Sequence, residues 1–199
     1  MQTDYLIYGV HAAFWGAFGI TRAILSRLAE PAVSPTPAPA AASPQTAPYS
    51  RALLGFHMVG FGTMYFGLNQ AVLGNQVPER WPLQRLAGSL VMALGAALMC
   101  WALAFFRSWR FRAQLAADHE LATGGPFELV RHPIYLGLNL LGIGTALWIP
   151  SGLELAAAVL LIVGSDLRCR AEEKLLLQAF GERYRAYMKQ TRRMIPGLY

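Results

Sequence analysis

Five apolar runs divide the chain. The first, residues 6–28, carries His11 and Arg22 within it. The second, 53–74, has no formal charge but holds His57, Asn69 and Gln70. The third, 86–106, is the cleanest. The fourth, 134–149, is short, and the fifth, 153–165, is shorter still and carries Glu154 near its start. A membrane-spanning helix takes about 20 mostly apolar residues. The pattern therefore predicts an all-α integral membrane bundle of about five transmembrane helices. Only Pro150, Ser151 and Gly152 separate the last two runs, which predicts a tight C-terminal helical hairpin that is tilted or sheltered by its neighbours. His57, Asn69 and Gln70 are expected to face other helices, and His11 and Glu154, near span ends, to reach headgroups. The glycines at 137, 142, 144 and 164 are read as close-packing positions.

The polar stretches set the boundaries. Residues 31–50, PAVSPTPAPAAASPQTAPYS, are rich in Pro, Ala and Ser and have no apolar face to bury. They read as an extended linker between an N-terminal helix, 1–30, and a membrane bundle, 51–199. The N-terminal run lacks a basic leader and a small-residue cleavage site, so it is read as a helix rather than a signal peptide. Past residue 168, Arg183, Arg185, Lys189, Arg192 and Arg193 interleave with Tyr184, Tyr187 and Met188. That pattern predicts an amphipathic helix lying at the cytoplasmic interface.

Composition agrees with a bilayer. Of the 199 residues 55% are hydrophobic and 14% charged, where a soluble domain carries about 25% charged. Cys100 and Cys169 suggest neither a disulfide framework nor metal-ligand spacing, and no metal is expected. The net charge of +6 comes with no aromatic-basic motif for nucleic acid, so anionic lipid headgroups are its expected partners. With five alternating spans, 15 of the 17 Lys and Arg fall on one side, leaving only Arg80 and Arg85 on the other. The excess of basic residues predicts that the 107–132 loop and the C-terminus are cytoplasmic, in an inner (cell) membrane.

Two segments on that face carry candidate chemistry: HELATGGPFELVRHPIYLG, 119–137, and RCRAEEKLLLQAFGERYRAYMKQTRRMIP, 168–196. They bracket the hairpin, so its geometry returns both to one membrane face. Gly-Pro-Phe followed by Val-Arg-His-Pro-x-Tyr-x-Gly resembles the signature of the isoprenylcysteine carboxyl methyltransferases, and phospholipid methyltransferases share a looser form. Downstream, Arg168, Glu172-Glu173, Phe180-Gly181-Glu182-x-Tyr184-x-x-Tyr187 and Ile195-Pro196 resemble the same family's C-terminal half. The resemblance covers residues 115–197 and implies methyl transfer from S-adenosylmethionine at the membrane surface. It places His119, Leu121, Ala122, Phe127, His132, Pro133 and Tyr135 along the cofactor, Glu172 against it, and Arg168 on the acceptor side. Phe127 stands where the family usually has Tyr, and Glu120 where it has a neutral residue.

The residue types suit that cofactor independently. Its carboxylate needs cationic or N–H donors, which Arg131, His132 and the amides before Ile134 offer at a helix that Pro133 opens. Its ammonium needs a carboxylate such as Glu172, and adenine needs a slot such as Phe127 and Leu121 could form. A carboxylate acceptor is already ionised and needs an Arg to hold it rather than a base. Arg168 lies four residues before Glu172, one turn away on the same helix face. The expected acceptor is thus a lipophilic carboxylate, isoprenylcysteine-like. An amine or thiol acceptor, as in a phospholipid methyltransferase, is the nearer alternative.

Plainer readings exist for each residue. Arg131 alone is a border arginine on lipid phosphate, and Arg168 with Glu172 alone is a surface ion pair worth little. Sterol and steroid reductases carry a related Arg-His-Pro-x-Tyr and would use NADPH. Here, however, Ile134 and Leu138 stand where those enzymes tend to have Asn and an acid. A non-enzymatic membrane subunit on the same scaffold is the third reading.

Overall fold

The computed structural model describes residues 5–28, 45–46, 49–74, 82–105, 114–115 and 121–199. Its helices are α1 (Leu6–Leu28), α2 (Ser50–Leu73), α3 (Pro82–Phe105), the single turn α4 (Pro126–Leu129), α5 (Pro133–Trp148) and α6 (Gly152–Gln190). The two-residue strands β1 (Gln45–Thr46) and β2 (Gln114–Leu115) pair antiparallel. The all-helical class is as expected.

The long helices alternate in direction and close into a ring. α3 packs chiefly on α5, α2 on α6, α5 on α6, and α1 on α3. Side chains join α1 back to α2. The Tyr8 hydroxyl donates to Asn69 Oδ1 at 2.5 Å, and Trp15 Nε1 donates to the Tyr65 hydroxyl at 2.5 Å. His11 lies at the centre, 3.2 Å from Tyr65 Oη through Nδ1 and 3.1 Å from Thr145 Oγ1 through Nε2. His11 and Glu154 were expected to reach headgroups, but both are buried. His11 is turned inward because Thr145 and Tyr65 give its ring polar partners that lipid tails could not. Glu154 is turned inward because its oxygen lies over Gly67, whose missing side chain leaves the room. Of the polar residues of α2, His57 is buried, whereas Asn69 and Gln70 are exposed.

Glycine sets the closest approach. A Cβ on Gly88 would meet the Gly144 carbonyl at 2.7 Å, and one on Gly144 would meet the Gly88 carbonyl at the same distance. Gly95 and Gly137 repeat this reciprocal contact at 2.7 Å, seven residues along each helix. Small residues let backbones touch where no hydrophobic gain separates helix from lipid. On the other side Gly60 faces Leu161, Gly67 faces Glu154 and Gly164 faces His57, which fixes α2 and α6 in one antiparallel register.

Among the described residues α3 is the one helix long and apolar enough to cross a membrane, and α5 is apolar but has only 16 residues. The expectation of about five spans is met only in part. α1 and α2 are diluted by polar side chains, the buried His11 and His57 and the exposed Arg22, Asn69 and Gln70 among them, and α6 runs on into charged sequence. The surfaces left outside are nonetheless apolar: Leu83, Leu86, Leu90 and Leu94 on α3, and Met58, Val59 and Phe66 on α2.

The expected tight hairpin is present. Ser151 caps α6 by accepting a hydrogen bond from the Glu154 amide at 3.2 Å. The expected fifth span continues well past its apolar run as one helix until the backbone breaks at Gly181, with φ 51 and ψ −123, and the basic, tyrosine-bearing stretch expected to be amphipathic follows as a second helical segment to Gln190. At 1.5 Å per residue the part before Gly181 is about 43 Å long, more than the hydrocarbon thickness.

Candidate active site

Glycine and proline shape the first motif. Gly125 takes φ 59, a conformation that L side chains rarely adopt, and a Cβ there would strike the Phe105 ring at 2.7 Å. Pro126 and Pro133 then open α4 and α5 at positions where no amide donor is missed. Between them the backbone is extended and pairs with the second motif. Val130 bridges Arg192 in parallel. The Arg131 amide donates to the Arg192 carbonyl at 2.8 Å, and the His132 amide to the Arg193 carbonyl at 3.0 Å. The Tyr187 hydroxyl donates to the Phe127 carbonyl at 2.6 Å. Two segments some 60 residues apart are thus clasped by backbone as well as side chains.

Glu173 is the electrostatic centre of this clasp. Arg131 Nε donates to Glu173 Oε1 at 2.9 Å and its Nη2 lies 2.8 Å away. Arg193 Nη2 reaches Glu173 Oε2 at 2.7 Å, and its Nη1 reaches Asp166 Oδ1 at 3.0 Å. Arg131 also donates to the Thr191 carbonyl. Burial by itself raises the Glu173 carboxyl, but the contacts of His132 and Arg193 and the charge of Arg131 outweigh it and hold the group well below the usual carboxylate range. Burial likewise works against Asp166, and hydrogen bonds from Tyr199 and Arg170 lower it on balance.

Tyr135 organises the second cluster. Its hydroxyl donates to Glu172 Oε1 at 2.5 Å. The Arg168 guanidinium lies over its ring, 5.2 Å from the centroid. The rings of His132 and His57 flank it at 5.9 and 6.2 Å. His132 stands between two carboxylates, Nδ1 3.7 Å from Glu172 and Nε2 3.4 Å from Glu173, the latter an off-axis contact that leaves Nε2 without a hydrogen bond. Glu172 is partly open, with its side chain 24% exposed, whereas Arg168 is only 8% exposed.

The sequence-selected residues fall as follows. Arg168, Glu172, His132 and Tyr135 form this one cluster, with Tyr135 bridging the arginine and the carboxylate that were expected side by side. Pro133 is buried beneath them. Leu121 and Phe127 are buried, Phe127 with its ring 6.2 Å from that of Phe105, and Ala122 is half-buried. The Arg131 side chain is committed to Glu173 and backbone carbonyls. His119 lies outside the described residues. Glu173, Arg193 and His57 went unselected. For Glu173 a signal existed: Ala157, Leu161, Ser165 and Cys169 precede it at intervals of four, and all five are buried.

The comparisons agree with the site's composition. The family model for phospholipid methyltransferase matches residues 83–183, from the second residue of α3 into the last stretch of α6. Comparison with the curated proteins gives no match. The resemblance read from the motifs is therefore met at the level of the related phospholipid family, not of the isoprenylcysteine enzymes. With half the chain covered, including His132, Tyr135, Arg168 and Glu172, the protein belongs to the phospholipid methyltransferase family.

Proposed function

We propose that the chain binds S-adenosylmethionine at the cytoplasmic face of a cell membrane and directs its methyl group to a lipophilic acceptor held by Arg168. The observation that carries this reading is the Tyr135 cluster, which joins a buried guanidinium to a partly open carboxylate. The residues fit the cofactor. Glu172 would take its ammonium, and the start of α5 beside His132 its carboxylate. Leu121, Ala122 and Phe127 would line the adenosine side, with His119 nearby in sequence. Arg131 would act at one remove, holding His132 through Glu173. When bound, the sulfonium supplies an electrophilic methyl group, and the chain's part is alignment and exclusion of water.

A carboxylate is the first acceptor, since Arg168 can hold it and no base is required. The phosphate of a phospholipid would occupy the same guanidinium, and the family's description favours that second reading. No observation favours the NADPH-dependent reductase. The exposed leucine stripe of α3 and the inward polar residues of α1 and α2 support a bundle set in lipid.

The test is calorimetric titration of the detergent-purified protein with S-adenosylhomocysteine and with NADP⁺. Wild type should bind S-adenosylhomocysteine, and Glu172→Ala should bind it at least tenfold more weakly. Binding of NADP⁺ alone, or equal binding by wild type and Glu172→Ala, overturns the proposal.

A further inference from the structure

His57 has no place in the site as described so far. It lies on α2, with its ring 1% exposed, stacked on Phe61 at 5.3 Å and 18°. Neither ring nitrogen has a hydrogen-bond partner among the described residues. A buried imidazole left unbonded costs about 1–3 kcal/mol. Retaining one in an apolar helix calls for a partner that comes from elsewhere. His11 shows the contrast, since its two nitrogens meet Tyr65 and Thr145.

The position of His57 says what that partner is. The α2–α6 register puts it opposite Gly164, whose Cβ would lie 3.5 Å from the His57 Cα. Gly164 is one helical turn before Arg168, which is in turn one turn before Glu172. Three polar stations therefore follow one another, each about 6 Å apart by helix rise. Glu172 is outermost, Arg168 is next, and His57 lies deepest. Tyr135 touches all three. A molecule entering from the lipid with its charged end at Arg168 would bring the segment just behind that end beside His57.

We propose that His57 is a specificity-determining residue that donates a hydrogen bond from its imidazole to a carbonyl of the acceptor, one turn deeper than the anionic group on Arg168. The inference rests on the reading of Arg168 given above. It deepens that reading by naming the residue that would tell an acyl lipid, with an ester or amide carbonyl behind its headgroup, from a bare prenyl chain. A neutral imidazole suits the task because its N–H satisfies the carbonyl without placing a charge in hydrocarbon.

The test uses dioleoyl phosphatidate and its di-O-alkyl ether analogue, two probes with the same phosphate and chains but with or without carbonyls. Affinity is measured in neutral detergent micelles. Wild type should prefer the ester lipid about tenfold, and His57→Leu should lose that preference. Arg168→Ala should weaken the binding of both lipids. Equal affinity of wild type for both probes overturns the proposal without reference to any variant, and so does a preference that survives in His57→Leu. Loss of S-adenosylhomocysteine binding with the ester preference intact would instead strike the methyl-donor reading alone.

Discussion

Adjacent carboxylates in α6 do different work. Glu172 is partly open and bonded to a phenol, while Glu173 is buried between two guanidinium groups. Glu173→Gln should therefore destabilise the fold by roughly 3 kcal/mol, since it leaves Arg131 without its counter-charge and Arg193 with Asp166 alone. Glu172→Gln should scarcely move the melting temperature in detergent. The pH dependence has a definite sign. The folded Glu173 carboxyl sits below its unfolded value of about 4.3, so its stabilisation is complete above that pH and is lost as the pH falls towards the lower, folded value. Melting temperatures of wild type should thus drop below about pH 4.3 more steeply than those of Glu173→Gln. The motif made both acids visible but not their division of labour. Buried Ser165 and Cys169, two turns and one turn before Glu173, were the nearest signal, because residues four apart lie close to one face.

Among the elements, the α3–α5 contact makes the sharpest demand. Gly88→Ala places a methyl against a backbone carbonyl on each approach of the two helices and should cost about 1–3 kcal/mol. Gly62→Ala, on α2 with open space around its Cα, should be neutral or slightly stabilising, because alanine is the better helix former. Comparing the two melting temperatures separates packing from propensity. Gly181→Ala, in contrast, should bend the outcome through backbone strain, at a cost of about 1–3 kcal/mol. The hairpin at Pro150–Gly152 was legible because turn residues interrupt two apolar runs. The continuation of α6 past its apolar run to Gly181 was not legible, because a change from apolar to charged composition looks like an element boundary when it marks only a change of surroundings.

For the whole molecule, the apolar stripes of α2, α3 and α6 face outward and the imidazoles of α1 and α2 face inward. A bundle built this way should remain in the membrane pellet after alkaline carbonate extraction; release into the supernatant would contradict the bilayer reading. The sequence conveyed the number and order of the helices, since hydropathy reports each run by itself. It conveyed little of the ring they close, because Tyr8 with Asn69 and His11 with Thr145 are partners across 61 and 134 residues. Nothing local in the sequence marks such pairs.

The clasp between Val130–His132 and Arg192–Arg193 has a temporal meaning. It ties the neck of a loop about 60 residues long, with α5 and α6 forming the loop itself. In a chain made from its N-terminus, the long helices therefore exist before the neck can close. Until Arg193 has emerged from the ribosome, Glu173 lacks one of its two arginines and His132 lacks its backbone partner. The face formed by the two motifs is thus the last part of the molecule to be completed.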